Sequence, residues 1–494
     1  MNKSKSLAQA TVLGVVWNYL SQLSGKFLVF ISTIVLAWLL TKTDFGVVGY
    51  VLVVFNFLDI LSDLGVGVAL IYHQDNPKAT HTAFWLGVGI SLVLAAMMWL
   101  SAPLISDMLA FNNDEGYEPE LVIALTRALA LLFPVESLRN VHSSLLQREL
   151  AFDRKFIPEL TKSFSKGLVS IVFALLGFGA WSLVIGQISS IIVSVIAYWW
   201  VVPWRPALQF SLELARPLLS YGVNIATGNL LGTVARNIDY LLIGSYIGAA
   251  ALGVYTIAFR LPEFLILQIC ALIGKVIFPA YSKIRINQGS LKHAFLVTMS
   301  YVTLITVPLG LGMALVADPL IRTLFPDEWL EAIPVTRAIA LYALFFSLTY
   351  NIGDIYKAQG RPSVLTKLSA LRLFILLPAL WWAAAIVGDV TAVAWTQMAF
   401  SVFYVALNLI VASKMLNTSL REILETLQPA AIAGALMALT VLSTLALLAG
   451  AAPLLQLIIS ILVGAMTYAA ALWLLEQKLV LQASHTLRAA LLRR

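Results

Sequence analysis

Residues 126–131 read TRALAL, and 210 positions later residues 336–341 read TRAIAL. The same spacing relates two further pairs: Ser137-Leu138 to Ser347-Leu348, and Gln187 to Gln397. Residues 40–47 are also similar to residues 247–254, at a spacing of 207. Similarity at a nearly constant spacing indicates an internal repeat. The chain is therefore predicted to contain two like halves.

The composition is that of a membrane protein. The 494 residues are 60% hydrophobic and only 12% charged, and the mean hydropathy is +0.89. A soluble domain carries roughly 25% charged residues, and one membrane crossing needs about 20 apolar residues. The sequence therefore predicts an all-α polytopic membrane protein without a soluble domain. The excess of 32 Lys and Arg over 25 Asp and Glu lies between apolar segments, so it indicates topology and not a nucleic-acid partner.

About fourteen transmembrane helices are predicted. The apolar stretch from Thr11 to Leu40 contains Lys26 and lacks a cleavage site, so it is interpreted as a retained first helix rather than a signal peptide. The predicted helices cover residues 11–40, 44–72, 81–108, 119–147, 155–177, 179–201, 218–246, 249–282, 291–317, 330–357, 362–387, 389–415, 428–450 and 453–476.

Basic residues concentrate in alternate connections, including those around Arg148, Lys283 and Lys357, whereas the opposite connections carry almost none. By the positive-inside rule both termini are predicted to be cytoplasmic. Two six-helix repeats then share one orientation, with an axis along the membrane normal. The predicted organisation is an N-terminal lobe (1–201), a cytoplasmic linker (202–217), a C-terminal lobe (218–415), and two further helices with a basic cytoplasmic tail (416–494).

Among the cations inside predicted helices, four are interpreted as candidates for binding an anionic substrate: Lys26, Lys166, Arg236 and Arg260. An ionised side chain at the helix centre costs at least about 2.5–3.5 kcal/mol, so it is expected to face a cavity or a partner. Lys26 and Lys166 have no acidic neighbour on their own helix and need either a distant partner or an anionic ligand. Arg236 and Arg260 each have a carboxylate three residues later, and those pairs can instead neutralise each other.

Carboxylates and amides accompany these cations. Asp59 and Asp63 are interpreted either as counter-ions for Lys26 or as protonatable coupling groups, and Asp239 and Glu263 as further candidates for ion coupling. Glu159 lies near a predicted cytoplasmic end and is interpreted as an interfacial residue. Four polar residues are predicted to line a shared cavity: Asn18, Gln22, Asn56 and Asn229.

No enzymatic pattern is present in the sequence. It contains no GxxxxGKS loop, no HExxH and no Cys/His cluster, and its one cysteine is Cys270. We therefore predict no catalytic residue, no metal site and no cofactor. Transport is the remaining interpretation, with H+ or Na+ coupling as an option.

Several stretches resemble the polysaccharide transporters of the multidrug/oligosaccharidyl-lipid/polysaccharide exporter superfamily. They are residues 37–40 with 44–48, 64–71, 147–154, and, as the strongest match, 237–244 with 252–255. The chain most resembles Wzx-type exporters of the branch that serves exopolysaccharides such as colanic acid. Trp38 departs from the basic residue expected at its position. The resemblance implies a MATE-like fold in the bacterial inner membrane.

The resemblance also implies a substrate, an oligosaccharide repeat unit on undecaprenyl pyrophosphate that moves to the outer leaflet. Lys26, Arg236 and Arg260 are then expected to contact the diphosphate. The expected partners are membrane lipids and a polysaccharide polymerase, and the expected state is a monomer. A multidrug cation antiporter and a peptidoglycan-precursor flippase are the alternatives. A membrane glycosyltransferase is disfavoured, because the sequence offers no large outer loop or nucleotide-sugar domain.

Overall fold

The computed structural model describes residues 23–63, 77–109, 118–149, 151–284, 288–350 and 352–477, and all regular structure in these ranges is helical. We number the helices in chain order. The first nine are α1 (Leu23–Ala37), α2 (Lys42–Asp63), α3 (Pro77–Leu109), α4 (Pro119–Ala130), α5 (Leu132–Arg148), α6 (Phe152–Leu175), α7 (Ala180–Val201), α8 (Leu212–Tyr246) and α9 (Ala249–Pro262). The rest are α10 (Gln268–Ile284), α11 (Gln288–Leu315), α12 (Ala317–Leu324), α13 (Ala332–Tyr350), α14 (Ile352–Ala358), α15 (Pro362–Trp381), α16 (Val390–Leu416), α17 (Leu420–Leu447) and α18 (Pro453–Leu475).

The predicted membrane class is confirmed by helix length and composition. In the described part of the chain, eleven helical segments are long and apolar enough to cross a membrane. The other three predicted crossings coincide with α1, α6 and α8, of which α6 and α8 carry several charged residues. Fourteen as the number of crossings stays a prediction.

Prolines explain two breaks inside predicted helices. The predicted helix 119–147 is interrupted at Leu131, because Pro134 has no N–H to donate to the carbonyl of Ala130. The predicted helix 249–282 changes at Pro262 into a π-helical turn, Glu263–Leu267, before α10 begins. A π-turn shifts the side-chain register of the helix that follows it.

The sequence prediction places the start of α17 too late in the chain. Hydropathy predicts a helix from residue 428, whereas α17 begins at Leu420. Ser419 and Glu422 form a capping box, in which the Ser419 hydroxyl accepts from the Glu422 N–H at 3.1 Å and Glu422 accepts from the Ser419 N–H at 3.0 Å. The hydropathy pattern does not indicate this start, because the first turn of the helix is charged.

The predicted turn around Gly388 is confirmed. Gly388 has φ +69°, a left-handed conformation that glycine adopts at little cost. Asp389 then caps α16 by accepting from the N–H groups of Thr391 and Ala392 at 3.0 and 3.2 Å.

The starts of α2 and α9 meet in a contact that follows the repeat. A Cβ on Gly46 would lie 1.7 Å from the carbonyl oxygen of Ala249, and a Cβ on Gly253 would lie 2.0 Å from that of Lys42. Gly46 and Gly253 are 207 residues apart, and so are Lys42 and Ala249. The contact is therefore reciprocal, as expected for two elements related by a two-fold axis. Only glycine allows the backbones to approach this closely.

Two compact units are present, Met1–Thr256 and Ile257–Arg494. The predicted lobe boundaries rest on the repeat and stay a prediction. The non-helical segment 202–211 is tied to the first unit, because Trp85 donates to the carbonyl of Ala207 at 2.8 Å and His81 accepts from its N–H at 3.0 Å. His142 stacks on Trp199 beside this segment.

Candidate functional site

The first unit contains a cluster of buried charges, here called the Glu136 network. Its members come from four helices: Asp59 of α2, Glu136 and Arg139 of α5, Glu159 and Lys162 of α6, and Tyr198 of α7. Glu136 and Arg139 lie within a candidate membrane span, Pro119–Arg148. Charges at this position are costly unless they have partners.

Glu136 is the centre of the network. Its side chain is 6% exposed, and its Oε1 pairs with the Arg139 guanidinium one helical turn away. The Lys162 ammonium of the next helix lies 4.0 Å from the same oxygen. Two cations around one carboxylate offset part of the cost of removing all three from water. The hydropathy pattern gave no prominence to Glu136 and Arg139, although their i, i+3 spacing inside a predicted crossing was a visible signal.

Glu159 also belongs to the network. The buried hydroxyl of Tyr198 donates to Glu159 Oε1 at 2.7 Å, which is a short, charge-assisted hydrogen bond. Glu159 further interacts with Lys155, Lys162 and Arg139. Glu159 therefore has partners within the network, and its interfacial position stays a prediction.

Asp59 differs from Glu136 in its contacts. The Ser62 hydroxyl donates to Asp59 Oδ1 at 2.9 Å. The Asp59 carboxylate also interacts electrostatically with Glu136, Arg139 and Lys162. Within the described ranges Asp59 makes no ion pair within 4.0 Å, unlike Glu136. Asp59 and Glu159 are therefore the carboxylates of the network that accept a hydroxyl hydrogen bond and make no ion pair in the described ranges.

The predicted cations of the first unit retain access to their surroundings. Lys26 on α1 and Arg236 on α8 have exposed side chains, and Lys166 on α6 is half-buried. Arg236 Nη2 donates to the hydroxyl of Thr233 at 3.1 Å. Such side chains can still engage an anionic ligand.

Arg260 and Glu263 belong to the second unit and are both partly exposed. Neither forms an ion pair within the described residues, so the predicted mutual neutralisation does not occur there. The π-turn that begins at Glu263 alters the i, i+3 geometry on which that prediction depended.

The remaining predicted positions divide into three groups. Asp239 is buried and accepts from the Tyr255 hydroxyl at 2.6 Å and from the Tyr240 N–H at 3.1 Å. Asn56 is exposed on α2. Asn18 and Gln22 lie outside the described residues, and Asp63 and Asn229 are placed only as positions on α2 and α8.

Arg372 of α15 is a buried cation of the second unit that the hydropathy pattern did not single out. It is 8% exposed, and its guanidinium carbon lies 5.0 Å from the ring centroid of Phe346 and 5.6 Å from that of Tyr404. The spacing of 210 that relates residues 126–131 to 336–341 places Arg372 opposite Lys162 and Phe346 opposite Glu136. Extending the repeat along the chain would have found it.

A family model described as polysaccharide biosynthesis protein matches residues 35–334. Teichuronic acid biosynthesis protein TuaB of Bacillus subtilis (strain 168) is 25% identical over 80% of the chain and 81% of its own length. Lipopolysaccharide biosynthesis protein WzxC of Escherichia coli (strain K12) is 26% identical over 76% and 75%. Succinoglycan biosynthesis transport protein ExoT of Rhizobium meliloti (strain 1021) is 25% identical over 96% and 94%.

Solved structures share the fold. The lipid II flippase MurJ in an inward closed conformation aligns with a TM-score of 0.74 at 14% identity, over 94% of this chain and all of the other. An inward-facing MATE family multidrug transporter of the MOP superfamily aligns with a TM-score of 0.64 at 17% identity, over 81% and 96%. The predicted MATE-like fold is confirmed.

Proposed function

Because the chain belongs to the polysaccharide biosynthesis protein family, we propose that it flips undecaprenyl-pyrophosphate-linked oligosaccharide repeat units from the cytoplasmic to the periplasmic leaflet. The units would then be assembled into exopolysaccharide or lipopolysaccharide. The observation that carries this proposal is the set of relatives. Each is named for a different surface polymer, and one is named as a transport protein. A step common to different polymers is movement of their lipid-linked units across the membrane.

The cationic residues suit the head group of that substrate. A diphosphate cannot enter hydrocarbon without a replacement for its water, and lysine and arginine provide one through charge-assisted hydrogen bonds. We propose that four cations contact the diphosphate one after another as the protein alternates between its open states. They are Lys26, Arg236, Arg260 and Lys166. Their side chains are all at least partly exposed, as contact with a ligand requires. Asn18, Gln22, Asn56 and Asn229 are proposed to bind sugar hydroxyls.

The membrane potential drives export of an anion. Each negative charge that moves out of a negative cytoplasm gains about 2.3 kcal/mol per 100 mV. Entry of H+ or Na+ through Asp59 adds to this force, with Asp63, Glu263 and Asp239 as further candidates. Asp59 is the first choice because, of these four candidates, it is the member of the Glu136 network.

The cellular setting follows from the same proposal. The protein is placed in the bacterial inner membrane with both termini in the cytoplasm, as a monomer among membrane lipids, and it delivers its substrate to a polysaccharide polymerase. The charge of the predicted head-group site disfavours a multidrug cation antiporter, whose cavity would need carboxylates and aromatic rings instead.

Deletion of the gene tests the function. We expect surface polymer to disappear and undecaprenyl-linked oligosaccharide to accumulate on the cytoplasmic leaflet. Complementation with the Lys26→Gln, Arg236→Gln and Arg260→Gln triple variant should fail, whereas Arg421→Gln, which breaks an exposed ion pair with Glu425, should restore the polymer. Normal surface polymer and no lipid-linked intermediate in the deletion strain would refute the proposal.

Coupling is tested separately with Asp59→Asn. In proteoliposomes loaded with the lipid-linked substrate, an imposed pH gradient should accelerate flipping by the wild type and leave the variant's rate unchanged. An equal response of both proteins would remove Asp59 from the coupling mechanism and leave the potential as the driving force.

A further inference from the structure

Arg372 lies deep in its membrane span. The span is Ser363–Val387, and nine residues separate Ser363 from Arg372, which corresponds to about 14 Å along a helix. The hydrocarbon core is about 30 Å thick, so Arg372 is near its middle. A cation at that depth requires a favourable partner.

The partners that Arg372 has are aromatic rings. The guanidinium lies over Phe346 of α13 and Tyr404 of α16, at 5.0 and 5.6 Å from the ring centroids. Within the described residues it makes no hydrogen bond and no ion pair with a carboxylate. Aromatic faces attract the cation, but they do not neutralise its charge.

In the first repeat, the equivalent cation has a carboxylate as its partner. Lys162, at the position equivalent to Arg372, lies 4.0 Å from Glu136. In the second repeat Phe346 replaces Glu136 and Ser369 replaces Glu159 at the spacing of 210, and Ile266 replaces Asp59 at the spacing of 207. The second repeat keeps the cation and has lost all three carboxylates.

The N–H groups of Arg372 are not completely buried. The buried polar atoms without a partner in the described chain include Nε of Arg127 and of Arg139, but no nitrogen of Arg372. Its nitrogens therefore keep the contact with the surroundings that the remaining 8% exposure allows. The guanidinium carbon lies over both rings, and a guanidinium can donate two parallel hydrogen bonds to a carboxylate or phosphate.

We propose that Arg372, Phe346 and Tyr404 form an anion subsite of the second unit that binds an oxyanion of the transported glycolipid. The oxyanion is either a carboxylate of an acidic sugar or a phosphate of the lipid diphosphate, since both fit the guanidinium edge. This proposal rests on the proposed function for the identity of the ligand. It adds a binding group that is absent from the four cations predicted by sequence.

Binding to the full-length protein in lipid nanodiscs tests the subsite. The two probes are undecaprenyl diphosphate without sugar and a soluble glucuronate-containing oligosaccharide. Arg372→Gln should weaken binding of one probe about tenfold to a hundredfold, the range for hydrogen bonds to charged groups. The probe that loses affinity identifies the source of the oxyanion.

Two further variants make the test independent of folding defects. Phe346→Glu places a carboxylate beside Arg372, as in the first repeat, so it should weaken binding of the same probe as Arg372→Gln does while the protein stays folded. Arg421→Gln, an exposed cation on α17, should bind both probes like the wild type.

The outcomes separate the subsite from the function. Equal affinities of the wild type, Arg372→Gln and Phe346→Glu for both probes would overturn the subsite, as would failure of the wild type to bind either probe. If Arg372-dependent binding is found but the wild type does not flip lipid-linked oligosaccharide in proteoliposomes, the subsite stands and the proposed function falls.

Discussion

Lys162 in the first repeat and Arg372 in the second lie at equivalent positions, 210 residues apart, and their surroundings differ. Lys162 shares Glu136 with Arg139, whereas Arg372 lies against Phe346 and Tyr404. A cation with built-in counter-charges stabilises its own unit and has little capacity left for a ligand. A cation that contacts only aromatic rings remains available to a ligand. The two repeats thus place a cation at equivalent positions, and only the first repeat has carboxylates at the positions around it.

The largest effect is expected when the central carboxylate of the Glu136 network is removed. Glu136→Leu removes the carboxylate that contacts both Arg139 and Lys162, and breaking a buried pair costs about 3–5 kcal/mol of unfolding free energy. Unfolding of the purified protein in mixed micelles with increasing SDS measures this. Glu425→Gln, at an exposed pair, is the control and should unfold like the wild type. Equal stability of both variants would mean that the Glu136 network is not a stabilising one.

A second test converts the Arg372 site into a copy of the first. Phe346→Glu should pair with Arg372, and the same change combined with Arg372→Leu should leave a buried carboxylate alone. The double-mutant cycle is expected to give a favourable coupling of about 3 kcal/mol, the upper end for residues in direct contact. The same SDS titration reports it. Additive effects would show that positions 346 and 372 do not interact as the repeat implies.

A third test compares two tyrosine hydroxyls. Tyr198→Phe removes the donor to Glu159, and a hydrogen bond to a charged group is worth about 2 kcal/mol. Tyr404→Phe keeps the ring over Arg372 and removes a hydroxyl that bonds to no described residue, so its stability should not change. Unfolding midpoints of the two variants give the comparison, and a larger loss for Tyr404→Phe would reverse our assignment.

The smallest expected effect is that of one ring face. Phe346→Leu removes the closer of the two rings over Arg372, which corresponds to about 1 kcal/mol of cation–π stabilisation. The same substitution in an Arg372→Met background supplies the correction for lost packing. If both backgrounds lose the same stability, the ring acts only as an apolar filler.

Sequence reasoning located the membrane helices and selected Asp59, and it missed half of the Glu136 network. Asp59 was selected because it shares one helix face with Asn56 and Asp63 and lies near the middle of an apolar run. Glu136 and Arg139 lie in a segment of mixed polarity, and Lys162, which contacts Glu136, lies on another helix. Arg372 had no nearby charge to draw attention to it, and only its alignment with Lys162 through the repeat reveals its position.

The amino-acid sequence by itself determined the all-helical membrane architecture, the repeat and the family. These are local properties, because a backbone in hydrocarbon must satisfy its own hydrogen bonds within each helix, and hydropathy records where that occurs. The tertiary structure alone decided which charges have partners. That depends on how each helix is rotated about its axis and which neighbour it meets. Helical spacing constrains side chains on the same helix, but it does not relate Glu136 of α5 to Lys162 of α6, or Arg372 of α15 to Tyr404 of α16.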